Sequence, residues 1–122
     1  EAVRSHPSYR ALIYAYANAL LETNRPEEAL RLVEARLQLI ADDYRLYLLQ
    51  ARAYAALDKR LAQHRAQAEA YFRRGNLTAA MEQLRIGLTS GDGDFYQVSS
   101  AESRLRELRK LDEEMRREAG KR

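Results

Sequence analysis

The chain has 122 residues, 21 Lys and Arg against 18 Asp and Glu, a net charge of +3 and no Cys. That length suits one domain with a core that needs no staples, and the lack of Cys removes disulfide frameworks and thiolate metal sites. Basic and acidic residues interleave along the chain, as on a solvated helical surface, so no nucleic-acid partner is expected; no apolar run approaches the ~20 residues that span a bilayer.

Two Pro, five Gly and an excess of Ala, Leu, Arg and Glu, without alternating β-branched runs, predict an all-α chain. Residues 1–8 are polar, contain Pro7, and read as a linker or the end of a preceding element. The chain starts at Glu1 without Met and carries no targeting signal, so it reads as a processed or excised piece of something longer. A first helix is expected from Tyr9 to Thr23, with Ile13, Tyr16, Ala17 and Leu20 on its apolar face. Asn24-Arg25-Pro26 ends it, and Pro26, Glu27 and Glu28 suit the first turn of a second helix reaching Ala41. Ala29, Leu30, Val33, Leu37 and Ile40 form the stripe of that helix.

Asp42 or Asp43 is a natural N-cap for a third helix, Tyr44 to Leu57, with Tyr47, Ala51 and Tyr54 inward. Asp58 ends that helix and is a candidate cap for a fourth, Arg60 to Arg74, whose Ala62, Ala66 and Ala70 form a column suited to close packing. Asn76 caps a fifth helix, Leu77 to Thr89. Ser90-Gly91-Asp92-Gly93 is the clearest loop. A sixth helix starts near Asp94 and carries Phe95, Val98, Ala101, Leu105 and Leu108. Residues 9–111 thus form the helical domain, and 112–122 a charged helix end or tail.

The stretch AQAEAYFRRGNLTAAMEQL, residues 66–84, reads as helix, tight turn, helix. Ala17, Leu20, Asn24, Ala29 and Val33 map onto Ala68, Tyr71, Gly75, Ala80 and Leu84, each shifted by 51 residues. Turn residues Asn24, Asp58 and Gly75 are spaced by 34 and then 17, and a helix-turn-helix period of about 34 is the tetratricopeptide pattern. The expected fold is therefore a tetratricopeptide-like antiparallel helix-hairpin solenoid of about six helices. The fourth helix fits two readings: the second helix of one pair, which alternation along a continuous stack favours, or the first helix of the next. An ordinary helical bundle is the alternative architecture.

No catalytic constellation emerges. Catalytic zinc takes about three protein ligands, and only His6 and His64 exist, neither with a second His one turn on. No nucleophile elbow is present, and Gly91-Asp92-Gly93 is too short for a phosphate loop. No catalytic, cofactor-binding or metal residue is assigned, and the chain by itself is not expected to be an enzyme.

The segments QHRAQAEAYFRRGNLTAAMEQLRIGL and GDFYQVSSAESRLRELRK resemble the C-terminal tetratricopeptide region of periplasmic zinc metalloproteases of the β-barrel assembly-enhancing type. The resemblance rests on Gln63-His64-Arg65, Ala68-Glu69, Tyr71, Gly75, Ala80, Glu82-Gln83-Leu84, Asp94-Phe95-Tyr96 and Arg104 to Leu108, and covers about Pro7 to Lys110. It implies a periplasmic location and a scaffold contacting a protease domain, outer-membrane proteins and their assembly machinery. The HExxH motif of the peptidase domain is absent, so zinc is expected only in that domain.

By the same resemblance the concave, protein-binding face would carry Tyr14, Asn18 and Leu21 from the first helix and Arg45, Leu48 and Arg52 from the third. Packing against neighbouring helices is the competing role for Tyr14 and Leu48. A carboxylate clamp fits poorly, because Tyr14 and Leu49 stand where it needs Lys and Asn. The last helix has a 3-4 stripe of Val98, Ala101, Leu105, Leu108 and Met115, which either caps the stack or pairs with a second copy. A generic tetratricopeptide adaptor, and a nucleic-acid binder using the Arg-rich last helix, are the alternative functions.

Overall fold

A computed structural model describes residues 7–121, in which six helices follow one another without a strand: α1 Pro7–Glu22, α2 Pro26–Leu37, α3 Tyr44–Ala56, α4 Arg60–Arg73, α5 Leu77–Leu88 and α6 Phe95–Gly120. Pro7 and Ser8 therefore belong to α1 and not to a linker; residues 1–6, including His6, lie outside the described residues.

Three helix ends are built alike. After α1, the Arg25 amide donates to the Leu20 carbonyl at 2.8 Å and the Asn24 amide to Leu21 at 3.2 Å. After α3, Lys59 donates to Tyr54 at 3.0 Å and Asp58 to Ala55 at 3.1 Å; after α4, Asn76 donates to Tyr71 at 2.9 Å and Gly75 to Phe72 at 3.0 Å. This doubly bonded reversal needs one residue in the left-handed region, and Asn24, Asp58 and Gly75 supply it with φ of 60°, 58° and 82°. Asp58 is consequently spent on closing α3 and does not cap α4, as its position had suggested. Asp43, Asn76 and Asp94 do cap their helices, accepting from the amides of Arg45, Ala79 and Gln97. The second helix stops at Leu37, short of Ala41. Asp43 has to leave the helix to cap α3, and Ile40 falls in the connection.

The core divides in two. Ile13, Ala17, Val33, Leu46 and Leu49 pack together from α1, α2 and α3, while Leu61, Ala68, Ala80, Met81, Leu84, Ala101, Leu105 and Leu108 do so from α4, α5 and α6. Val33, Leu46, Leu84 and Leu108 are almost wholly enclosed, each contributing about 1.5–3 kcal/mol through burial. Each helix packs on the next; in addition α1 lies against α3 and α4 against α6, while α3 and α5 do not approach one another. Two three-helix units of the same arrangement are therefore joined through α3 and α4. The fourth helix is the opening member of the second unit, not the closing member of a pair as simple alternation would have it. The two units keep the 51-residue offset: α2 and α5 begin at Pro26 and Leu77, α3 and α6 at Tyr44 and Phe95.

Tyr16, expected on the apolar face of the first helix, is instead 55% exposed. It points away from α2 and α3, to a side of α1 where no described helix lies. On α3, Ala51 is buried and Tyr47 and Tyr54 half-buried, and Leu46, Leu49 and Ala53 join them in the interior because neighbours lie on three sides.

Candidate protein-binding groove

The floor of the groove is the stripe Tyr44, Arg45, Leu48 and Arg52 on α3. Its walls are α1 on one side and α4 on the other, because α3 packs both on α1 within its own unit and on α4 of the next. Tyr14 on α1 donates its hydroxyl to Asp43, the residue that caps α3. Burial, and then the hydrogen bond and charge of Asp43, push the Tyr14 phenol above its ordinary pKa. Asn18, one turn on, donates to the Tyr14 carbonyl at 2.9 Å and accepts from the guanidinium of Arg52, 34 residues later. Of the six residues singled out from sequence, Tyr14, Asn18, Arg45 and Arg52 are linked here and Leu48 stands on the same helix as the two arginines, while Tyr14, like Leu21, also packs onto the core of the first unit.

Arginines and tyrosines alternate across the floor. The Arg45 guanidinium lies 6.0 Å from the Tyr14 ring centre and 5.4 Å from that of Tyr44, and Arg74 from the far wall lies 5.1 Å from Tyr44. Cations over ring faces at these distances are attracted to them, and Arg45 is also hydrogen-bonded to the Tyr14 side chain. On the α4 side of the floor, Leu48 from α3, Gln67, Ala70, Tyr71 and Arg74 from α4 and Gln83 from α5 surround a hollow of about 170 Å³. Leu48 is 39% exposed within it. The Gln83 side-chain oxygen lies 2.8 Å from His64 Nδ1, tying α5 to α4 at the groove's end. His64 is thereby a junction between helices; among the described residues no group of three or more His, Asp or Glu is placed to hold a metal ion.

Sequence reasoning missed Tyr44, Gln67, Tyr71 and Arg74 on this face. The helical period of α4 contained the signal, since Gln67, Tyr71 and Arg74 fall on one side. Placing α4 as an outer helix pointed that side away from α3.

On the sixth helix, Ala101, Leu105 and Leu108 are buried against the second unit, with Val98 packed beside them. The stripe closes the stack as far as Leu108, and Met115 beyond it is exposed. No described helix is long and apolar enough to cross a membrane. No protein-family model matches the chain, and no curated protein matches it.

Proposed function

We propose that the chain is a protein-interaction module whose α1–α3–α4 groove binds an extended peptide segment bearing carboxylates and apolar side chains. The observation that carries this reading is the Tyr14–Arg45–Tyr44–Arg74 array beside the exposed Leu48. Arg and Tyr are the residue types that most often anchor interfaces, and guanidinium planes receive carboxylates in two-point contacts. In this reading Leu48 takes an apolar side chain, and Arg45, Arg52 and Arg74 take the acidic groups around it.

The resemblance of residues 63–108 to the repeat region of periplasmic zinc metalloproteases supports a narrower version. Here the module is the client- and partner-contacting part of a zinc-dependent protease or chaperone acting on outer-membrane proteins, with the zinc in a separate peptidase domain. A tetratricopeptide adaptor unrelated to a protease shares the same groove. Nucleic-acid binding through α6 is the remaining alternative; part of the basic charge of that helix is paired within the chain, Arg104 with Glu69 and Glu107 and Arg116 with Asp112.

Fluorescence anisotropy with labelled acidic and basic extended peptides tests the groove. Acidic peptides should bind, and Arg45→Glu with Arg74→Glu should abolish binding while circular dichroism stays unchanged. Equal binding of basic peptides, or no loss in the double variant, would sink the proposal. An HExxH helix upstream in the same reading frame would support the protease version, and its absence would leave the adaptor.

A further inference from the structure

α1 repeats a helix-docking face that α4 uses inside the molecule. On α4 the column of Ala62, Ala66 and Ala70 is turned to α3; Ala66 and Ala70 are 4% and 2% exposed, and Ala51 on α3 is buried as well. Tyr47 and Tyr54 line the cleft on one side of this contact and Leu48 the hollow on the other. Stepping back 51 residues turns Ala62, Ala66 and Ala70 into Ala11, Ala15 and Ala19, an alanine column at the same place on α1. All three of these alanines are exposed.

The flanking positions sharpen the contrast. Gln63 and Gln67, beside the α4 column, correspond to Leu12 and Tyr16 on α1. On α4, where a helix covers the face, the two residues are polar and half-buried. On α1, where none of the described residues covers it, they are large and apolar, and 63% and 55% exposed. An Ala column lets a helix approach closely, and apolar residues beside it are the ones that approach would bury. The face is more apolar than its counterpart yet lies open.

We infer that the Ala11–Leu12–Ala15–Tyr16–Ala19 face of α1 is a docking surface for one helix of the α3 kind. That occupant is amphipathic and presents Tyr, Leu and Ala at the spacing of Tyr44, Tyr47, Leu48, Ala51 and Tyr54. The α3–α4 contact sets its chemistry, since the same column accepts such a helix there. The second unit gives no matching helix at the opposite end of the chain. Although α3 and α6 start 51 residues apart, their inward positions recur 52 apart, Leu46, Leu49 and Ala53 becoming Val98, Ala101 and Leu105. The stretch of α6 that corresponds to this face of α3 therefore reads Tyr96, Ser99, Ser100, Ser103 and Arg106, which is mostly small and polar. Docking is therefore directional, with α1 as the receiving end and α6 as the closing end. This surface lies apart from the α1–α3–α4 groove and does not depend on what the groove binds.

The probe is a labelled peptide copying residues 42–58, added to the full chain and followed by anisotropy. A second measurement uses the chain with a copy of residues 42–58 joined directly ahead of Ser8, the register in which α3 precedes α4. The expected result is peptide binding that Ala15→Arg weakens about tenfold or more, through overpacking of a close contact, and a rise in Tm of about 5 °C in the extended chain that the same substitution cancels. Ala15 is exposed, so Ala15→Arg should leave the Tm of the unextended chain unchanged. Absence of both binding and thermal gain overturns the inference, as does a gain that Ala15→Arg leaves intact. Concentration-dependent dimerisation of the unextended chain, lost on Ala15→Arg, would also overturn it by making a second copy's α1 the occupant.

Discussion

The carboxylate of Asp92, in the loop before α6, accepts the backbone amides of Arg60 and Leu61 at the start of α4, the latter at 3.0 Å and across 31 residues of chain. The first four amides of a helix have no partner within it. α4 has Lys59 before it, which offers no acceptor, and its first turn contains no acidic residue. The loop that closes the second unit thus completes the helix that opens it.

Replacing Asp92 with Ala should lower Tm and speed hydrogen exchange at the amides of Arg60 and Leu61. Asp92→Asn should retain part of the protection, because a neutral amide oxygen still caps. The two amides hold the Asp92 carboxyl below its usual pKa. A depressed carboxylate contributes stability that is present above its unfolded value, about 3.9, and is lost as pH falls through the folded value. The difference between native chain and Asp92→Ala should therefore be full at neutral pH and fade in acid. A difference that grows on acidification would contradict the cap.

Gly93, the next residue, is required by space and not by backbone angle. A Cβ there would lie 2.2 Å from Leu61 Cδ2, and the other Leu61 methyl is already close to Gly87, whose Cβ would stand 3.2 Å from it. Leu61 is only 2% exposed and cannot swing clear. Gly93→Ala should cost about 1–3 kcal/mol by overpacking, whereas Gly120→Ala, where nothing lies near, should be neutral or slightly stabilising. Urea unfolding of both variants checks the contrast, and equal stabilities would refute it.

Helix existence was legible in the sequence because each turn carries its own chemistry: Asn24, Asp58 and Gly75 stop helices, and Pro26, Asp43, Asn76 and Asp94 start them. The 51-residue correspondence was legible too, from small and large residues recurring in order. Contacts between helices were not. Whether Ala66 faces α3 or solvent depends on which neighbour α4 keeps, and helical periodicity is silent on that. The same gap put Tyr16 in the core, hid Arg74 from the groove, and made Asp58 rather than Asp92 the cap of α4. A left-handed residue and an N-cap share the same Asp and Asn preferences, so composition cannot separate them.

Glu69 joins α4 to α6. Its carboxylate receives Arg104 Nε at 2.8 Å and Nη2 at 3.0 Å, and Arg73 from its own helix. Arg73 and Arg104 also lie over the rings of Tyr47 and Phe72, at 4.5 Å and 4.8 Å. Burial alone would raise the pKa of Glu69, but the hydrogen bonds and charges of Arg104, then Arg73, hold it below the usual value. Glu69→Gln should destabilise by about 1–3 kcal/mol, leaving two half-buried guanidinium groups short of a charge. By the same sign as for Asp92, that loss should be largest above about pH 5 and shrink as the native carboxylate protonates. Chemical denaturation at pH 7 and pH 3 measures it, and a loss independent of pH would assign Glu69 a packing role only.

At the alkaline end the relevant group is Tyr54. Its hydroxyl donates to Glu34 at 2.9 Å, an oxygen that also receives Gln50. Burial first, then the hydrogen bond and charge of Glu34, push its phenol up to about 12. A raised pKa means that the protonated phenol stabilises the fold: the contribution is complete below the unfolded value near 10 and is lost as pH rises towards 12. The phenol bridges α3 to α2, so ionisation would set two negative charges against each other inside the first unit. Spectrophotometric titration at about 295 nm should show a late-ionising component, to which the raised phenols of Tyr14 and Tyr47 also contribute, and Tyr54→Phe should remove its most alkaline part. The same variant should have a shallower decline in stability between about pH 10 and pH 12. If Tyr54 instead titrates with the exposed tyrosines, the α2–α3 bridge is open in solution.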